Sequence, residues 1–493
     1  MSPPARIDAF RPAIILGGRV GLELDYLFHP KSIAVAGASE DPRKQGNAYY
    51  RLLKERGFKG AVYAVNPRGT DVLGGPSFTS VGEIPGPVDY VISTVPAPAV
   101  PGLIDECAAK GVKTIHLFTG RFSETGHEDA ATLERDVLAR AQRAGIRLIG
   151  PNGMGLHYAR EGITFKDHLP ADPGTAVAMA QSGGNAVEMV LGPAARGVRF
   201  GKVLSYGNGL DLNEADFLNY FAEDPETSVV GLYLEGVKEG RRFLDALRRV
   251  ASEKPVVVWK GGRTAAGGRA VSSHTASLAG DSAIWNAAIR QAGAVPVSNM
   301  QEMVDAVSAF YFLPPFTGVR TAIAGGGGGR SVQSADVCEE AGLVVAPFPD
   351  SITAALRERD PEYWDWLSNP VDGSILGASP WKMDELVALL TKSPEYDLVI
   401  NNIDEQWALD RPEAAQDLPK TLDALLAVHA QQPKPMAVVV GDAVQPQGWQ
   451  TDALTDLRSR CAAAGVPTFP SIARAAQALK RVTDYYRHKE ALE

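Results

Sequence analysis

Short apolar runs, each closed by a glycine or proline turn and followed by a stretch of helical spacing, recur along the chain. The first is Ser32-Ile-Ala-Val-Ala-Gly-Ala-Ser39, followed by Gly46-Asn-Ala-Tyr-Tyr-Arg-Leu-Leu-Lys-Glu-Arg-Gly57, a helical pattern closed by glycine. Further runs stand at Ala61-Val-Tyr-Ala-Val65, Val88-Asp-Tyr-Val-Ile-Ser-Thr-Val95 and Thr114-Ile-His-Leu-Phe118, with helical segments near 98–110 and 128–144, and Arg147-Leu-Ile-Gly150 closes the set. Strands alternating with helices predict a parallel sheet of Rossmann type, which binds ligands at the carboxyl ends of its strands.

The rhythm repeats twice. Thr175-Ala-Val-Ala-Met-Ala180 runs into Gln181-Ser-Gly-Gly-Asn185 and the helix-like Ala186-Val-Glu-Met-Val-Leu191; Val229-Val-Gly-Leu-Tyr-Leu-Glu-Gly236 and Pro255-Val-Val-Val-Trp-Lys260 continue it. After Pro314-Pro315 a third unit opens with Val319-Arg-Thr-Ala-Ile-Ala324, a turn at residues 325–329 and the helical Arg330-Ser-Val-Gln-Ser-Ala-Asp-Val-Cys-Glu-Glu340. Leu398-Val-Ile-Asn-Asn-Ile403, a helix near 417–430, Met436-Ala-Val-Val-Val440 and helices around 450–464 and 471–486 complete it. The expected fold is α/β: a Rossmann-like domain over 27–155 after an N-terminal extension, 1–26, then two flavodoxin-like doubly wound domains, 156–315 and 316–493.

Composition narrows the function classes. Of 493 residues 45% are apolar and 22% charged, with no apolar run long enough to cross a bilayer. A net charge of -9 leaves no basic footprint for nucleic acid. Cys107, Cys338 and Cys461 fit neither a disulfide framework nor a metal-ligand spacing. The expectation is a cytoplasmic protein with no resident metal and no membrane or nucleic-acid partner.

One stretch concentrates chemistry: Ser272-Ser-His-Thr-Ala-Ser-Leu-Ala-Gly280 puts a lone histidine, His274, in what reads as a loop of small and hydroxylated residues. Small neighbours leave room for a bulky anion on the imidazole, and Ser273, Thr275 and backbone N–H groups could bind it. A histidine beside a helix start is more often a cap or loop residue, so the neighbouring motifs decide. The turn Ser182-Gly183-Gly184 aims free N–H groups and a helix dipole at one point, an anion site unless the glycines serve geometry alone. Glu235 ends its run in a glycine turn, where a carboxylate can orient an imidazole; Glu214 is the weaker candidate because acids are favoured at a helix start. Gly327, Gly328, Gly329 and Arg330 form a second glycine turn into a helix. In the first unit Gly37 and Gly46 have eight residues between them and the second run ends in Asn66-Pro67-Arg68, not the tight glycine set and acid of a dinucleotide site. A longer loop with Ser39, Arg43, Lys44 and Gln45 still suits the phosphates of another nucleotide-bearing cofactor, or is a solvated surface loop.

Leu27-Phe-His-Pro-Lys-Ser-Ile-Ala-Val-Ala-Gly-Ala-Ser39, Val65-Asn-Pro67, Val95-Pro96 and Gly150-Pro-Asn152 resemble the CoA-binding domain of NDP-forming acyl-CoA synthetases, a family that includes ADP-forming acetyl-CoA synthetases and the succinyl-CoA synthetase α chain. The resemblance implies coenzyme A over Gly37, Ala38, Ser39, Arg43, Lys44, Gln45, Asn66, Pro67, Val95, Pro96 and Asn152. It assigns phosphohistidine to His274, its orientation to Glu235, and phosphate binding to Ser182, Gly183 and Gly184, with a second helix N-terminus sharing the charge at Gly327, Gly328 and Gly329; Ser273, Thr275 and Arg330 are further candidates on their own chemistry. The implied reaction is acyl-CoA, phosphate and ADP to acid, CoA and ATP, reversibly, through an acyl phosphate. Complete members also carry an ATP-grasp unit, for which no segment is left over here, so a separate ATP-grasp subunit is expected to bring ADP/ATP and Mg2+. Two departures stand out. Ala276 replaces a family glycine, and five glycines with Arg330 replace the usual Asn-x-Gly-Gly-Pro-Gly; either Arg330 adds a phosphate contact or the turn has lost its anion. The alternatives are a CoA-binding regulator or scaffold without synthetase chemistry, and an acyl or carbamoyl transferase without phosphohistidine. Five of seven tryptophans fall in the last third, as a core, an acyl pocket or an interface.

Overall fold

The computed structural model describes residues 24–275, 282–403, 417–432, 434–441 and 448–492. Among them, sixteen strands form three sheets. The first holds β1 (Ser32–Ala36), β2 (Ala61–Val65), β3 (Ser77–Phe78), β4 (Tyr90–Ser93), β5 (Thr114–Leu117) and β6 (Arg147–Ile149). Its order is β3-β2-β1-β4-β5-β6, all parallel, the doubly wound arrangement in which the strand order reverses beside β1. The crevice at that reversal opens at the carboxyl ends of β1 and β4, between Gly37 and Thr94.

The second sheet comprises β7 (Gly155–Tyr158), β8 (Ala176–Ala180), β9 (Phe200–Ser205), β10 (Val229–Leu234), β11 (Val256–Lys260) and β12 (Val295–Val297), in the order β12-β11-β10-β8-β9-β7. Only β7 runs antiparallel, against β9, a strand the hydrophobic pattern had not marked. Strands β8, β9 and β10 are buried throughout, as expected where helices cover both faces of a parallel sheet. The third sheet is parallel: β13 (Thr321–Ala324), β14 (Leu398–Asn402), β15 (Met436–Val439) and β16 (Thr468–Phe469), in that order.

The second and third sheets share a helix. Ile472–Glu490 packs on the Met300–Phe312 helix of the middle unit and on the Gly328–Glu340 helix of the third. Its buried Ala475, Leu479 and Val482 sit in one continuous core with Met303, Val307 and Phe310 on one side and Ile323, Ile400 and Phe469 on the other. Asp305, almost fully buried, takes Arg474 Nε at 2.6 Å and Arg196 at 2.5 Å, an ion cluster at the same seam. Gly197 belongs there too: a Cβ at that position would lie 2.1 Å from the Ala462 Cβ of the third unit. The three cysteines are buried and free. The tryptophans divide between the expected fates: Trp381 is in the core, Trp364 lies under the Arg357 guanidinium, and Trp366 is 64% exposed. Trp407 lies outside the described residues.

Candidate functional site

In the first unit, Gly37 ends β1 with φ +89°, a conformation open to glycine, and a Cβ there would meet Thr94 Oγ1 at 2.5 Å. Gly46, in the first turn of the Gln45–Glu55 helix, sits against the Gly37 carbonyl so closely that a Cβ would come within 2.0 Å of it. The two glycines therefore lock the helix N-terminus onto the strand end, and Lys44 and Gln45 flank that N-terminus. Asn66 Nδ2 donates to Ala38 O (3.0 Å), and Asn47, buried and not singled out by the sequence, donates to Ser39 O (2.8 Å). Val95 and Pro96 follow β4, and Thr119 Oγ1 donates to Val95 O. The structure thus brings Gly37, Ala38, Ser39, Gln45, Asn66, Val95 and Pro96 around one crevice. Arg43 differs: its guanidinium is folded onto Asp41 (2.9 Å) while 88% exposed, and the Asp41 hydrogen bond raises its pKa.

The middle unit builds a second constellation from adjacent strand ends. Ser182 caps the Gly183–Ala194 helix, its Oγ accepting from Asn185 N (3.3 Å), so the first-turn N–H groups at Gly183 and Gly184 remain at a positive helix end. Gln181 ties this turn to the neighbouring one: Gly236 N donates to its Oε1 (3.0 Å) and its Nε2 donates to Gly236 O (2.9 Å). Between them Glu235 is 8% exposed; Tyr233 Oη approaches its Oε1 at 3.4 Å, and Oε2 is buried with no hydrogen-bond partner among the described residues. An unsatisfied carboxylate oxygen in a buried place is costly, which marks it as aimed at something else. Lys260 Nζ, at the end of β11, donates to Glu235 O (2.7 Å), and burial lowers its pKa. Glu214 is more deeply buried still, and burial pushes its carboxyl up to about 7, beside Tyr206 and Lys238. Sequence patterning ranked Glu214 as the weaker candidate to orient the imidazole because it opens a helix; it could not show a carboxyl sealed from solvent.

The expected active-site loop is in part a helix. Ala265–Thr275 is helical, with Thr264 Oγ1 accepting from Gly267 N (3.1 Å) at its start, so positions 272–275 lie on its last turn. Buried Val271 packs against Gly262 and anchors that turn, which explains why a glycine- and serine-rich segment holds helical form. The side chains of Ser273, His274 and Thr275, and the whole of 276–281, Ala276 included, lie outside the described residues.

In the third unit Gly325 and Gly326 adopt φ +100° and +85°, and Gly327 caps the Gly328–Glu340 helix. Gly328, Gly329 and Arg330 form its first turn, so the helix expected from Arg330 begins two residues earlier, within the run of glycines. A neighbour the sequence did not connect to this turn is Asp372: a Cβ on Gly328 would come within 3.0 Å of its Oδ2. A carboxylate near a helix N-terminus partly neutralises the field that an anion would otherwise meet.

A Rossmann-like sheet with its crevice at β1 and β4, joined to flavodoxin-like units with glycine turns at strand ends, defines a CoA-ligase type of architecture. Comparison with known proteins agrees. The family described as CoA binding domain matches residues 31–159, and the succinyl-CoA ligase like flavodoxin domain matches 173–310. The chain is 37% identical over 398 residues to an ADP-forming acetate–CoA ligase I of Archaeoglobus fulgidus, covering 80% of this chain and 57% of that protein. It is 31% identical over 477 residues to the ADP-forming acetate–CoA ligase I α subunit of Pyrococcus furiosus, covering 95% of this chain and 99% of the subunit. Among solved structures, acetyl-coenzyme A synthetase 1 of Ca. Korarchaeum cryptofilum, in complex with phosphate and ADP, superposes with a TM-score of 0.80 at 30% identity, over 95% of this chain and 98% of that one. The chain belongs to the family of ADP-forming acetate–CoA ligases, and spans little more than half of the longer, A. fulgidus member.

Proposed function

We propose that this protein is the CoA-binding, phosphohistidine-bearing subunit of an ADP-forming acyl-CoA synthetase that works with a separate ATP-grasp subunit. Coenzyme A lies over the carboxyl ends of β1 and β4. Phosphate attacks the acyl carbon of the thioester, the carbon–sulfur bond breaks, and CoA leaves as its thiol. The acyl phosphate passes its phosphoryl group to the His274 imidazole, releasing the carboxylate. The phosphohistidine then gives it to ADP on the partner, where Mg2+ balances the nucleotide charge. Every step is reversible.

The observation that carries this reading is the unpartnered Glu235 Oε2, buried between the Ser182 turn and Lys260. A carboxylate held this way accepts the N–H of an imidazole, fixes its tautomer and leaves the other nitrogen to attack phosphorus. Free N–H groups at Gly183 and Gly184 suit the phosphoryl oxygens. The names of two relatives as α subunits of ADP-forming ligases support the division of labour with a partner.

Incubation of the chain and an ATP-grasp partner with labelled ATP and magnesium tests the reading. Acid-labile, base-stable label on wild type and none on His274→Ala is expected; absence of label with a competent partner refutes it. Asp372 beside the third glycine turn favours the competing reading, a CoA-binding regulator, which predicts CoA binding without any label.

A further inference from the structure

The segment that follows β5 stands between the two constellations. Thr119 Oγ1 donates to Val95 O (2.5 Å), and Asn152 N donates to Thr119 O (3.2 Å), so the segment touches positions assigned to CoA. On its other side the turn Ser123–Thr125 packs against the Ala265–Thr275 helix, which carries position 274. Arg121 stands between these contacts.

Its backbone has φ +73°, a left-handed conformation that a residue with a Cβ adopts only when its surroundings enforce it. The enforcement is visible. Glu124 Oε1 accepts the N–H of Arg121 and of Phe122 (3.1 Å), Glu124 Oε2 accepts Asn208 Nδ2 (2.9 Å), and the Phe122 side chain is fully buried. A glycine would meet that geometry without strain. The chain instead places there a long cation that is exposed and, among the described residues, has no ion pair or side-chain hydrogen bond. Several arginines of this fold, such as Arg147, Arg196 and Arg320, are by contrast engaged by carboxylates.

We propose that Arg121 is a binding residue for the phosphate co-substrate, its guanidinium forking onto the oxyanion where the acyl end of the thioester meets the histidine-bearing helix. The planar fork matches phosphate oxygens in pairs, and a turn of fixed, strained shape spends little further entropy in aiming it. The assignment rests on the synthetase reading above.

Equilibrium binding of inorganic phosphate and of CoA to the full chain tests it, using Arg121→Gly, Arg121→Lys and wild type. Arg121→Gly is expected to bind phosphate roughly tenfold or more weakly, the loss that follows removal of a charge-assisted hydrogen bond, with CoA affinity unchanged. Its unfolding midpoint should rise, because glycine relieves the strain, and Arg121→Lys should fall between in phosphate affinity. Unchanged phosphate binding in Arg121→Gly, equal losses of CoA and phosphate, or no phosphate binding by the CoA-loaded wild type each overturn the assignment. Transfer of labelled phosphate from acetyl-CoA and phosphate to the histidine separates the two readings. Weaker phosphate binding in Arg121→Gly with no label ever on wild type keeps the arginine and sinks the synthetase; label on wild type with unaltered binding does the reverse.

Discussion

At the scale of single residues, the informative groups are two carboxyls buried at the ends of neighbouring elements. Glu214 has its pKa raised to about 7 by burial, above the ordinary 4.5. The folded state therefore holds a proton there that the unfolded chain has released, so stability is undiminished below about pH 4.5, falls as pH climbs toward 7, and then levels off. Glu214→Gln removes that dependence: unfolding free energies should converge at about pH 4 and below and favour the variant by about 1–3 kcal/mol at pH 8, measured by denaturant titration. Glu235→Gln tests the other carboxyl. It keeps shape and burial but presents an amide to the imidazole, so histidine labelling should drop roughly 10- to 100-fold with little change in the unfolding midpoint. The position of Glu235, buried at the end of a strand, was legible because a carboxylate ending an apolar run in a glycine turn is a visible pattern. Gln181 and Lys260, which hold its backbone, were not, since their roles depend on strand adjacency that no local pattern encodes.

At the scale of elements, strands and their following helices were legible wherever apolar runs ended in glycine. The β8 strand, the Gly183–Ala194 helix and the β14 strand lie within a few residues of their expected places. Several elements were missed, the β12 strand and the Met300–Phe312 helix among them, and two were missed for opposite reasons. The Ala265–Thr275 helix carries Gly267-Gly268 and a serine pair, weak formers overridden by the packing of Val271. The β7 strand is short and earns its place only by antiparallel pairing with β9. The third glycine turn offers a graded test. Gly325→Ala forces a Cβ to 2.1 Å from Asn402 O at φ +100°, whereas a Cβ at Gly327 meets open space. Thermal unfolding should show Gly325→Ala destabilised by at least about 1–2 kcal/mol and Gly327→Ala near wild type. Equal effects would mean the turn is not held in the described conformation.

At the scale of the molecule, three alternating units were readable from the rhythm of runs and from Pro314-Pro315, but their joinery was not. The seam depends on Asp305, whose carboxylate joins Arg196 of the middle unit to Arg474 of the shared helix. Asp305→Asn should cost roughly 3 kcal/mol or more, because it leaves the partly buried Arg196 without its counter-charge. In calorimetry the middle and third units should then melt as two transitions; a single transition at the wild-type midpoint would show that the seam is held by apolar packing alone.

The shared Ile472–Glu490 helix also has a consequence in time. During synthesis the Met300–Phe312 helix leaves the ribosome long before residues 472–490, the partner that covers one of its faces. Until then a stripe of Met, Val and Phe side chains stays wet, and the middle sheet is finished without its lid. Chaperone demand should therefore peak in that interval, and a ribosome stalled between the two helices should present a sticky, aggregation-prone nascent chain rather than a docked middle domain.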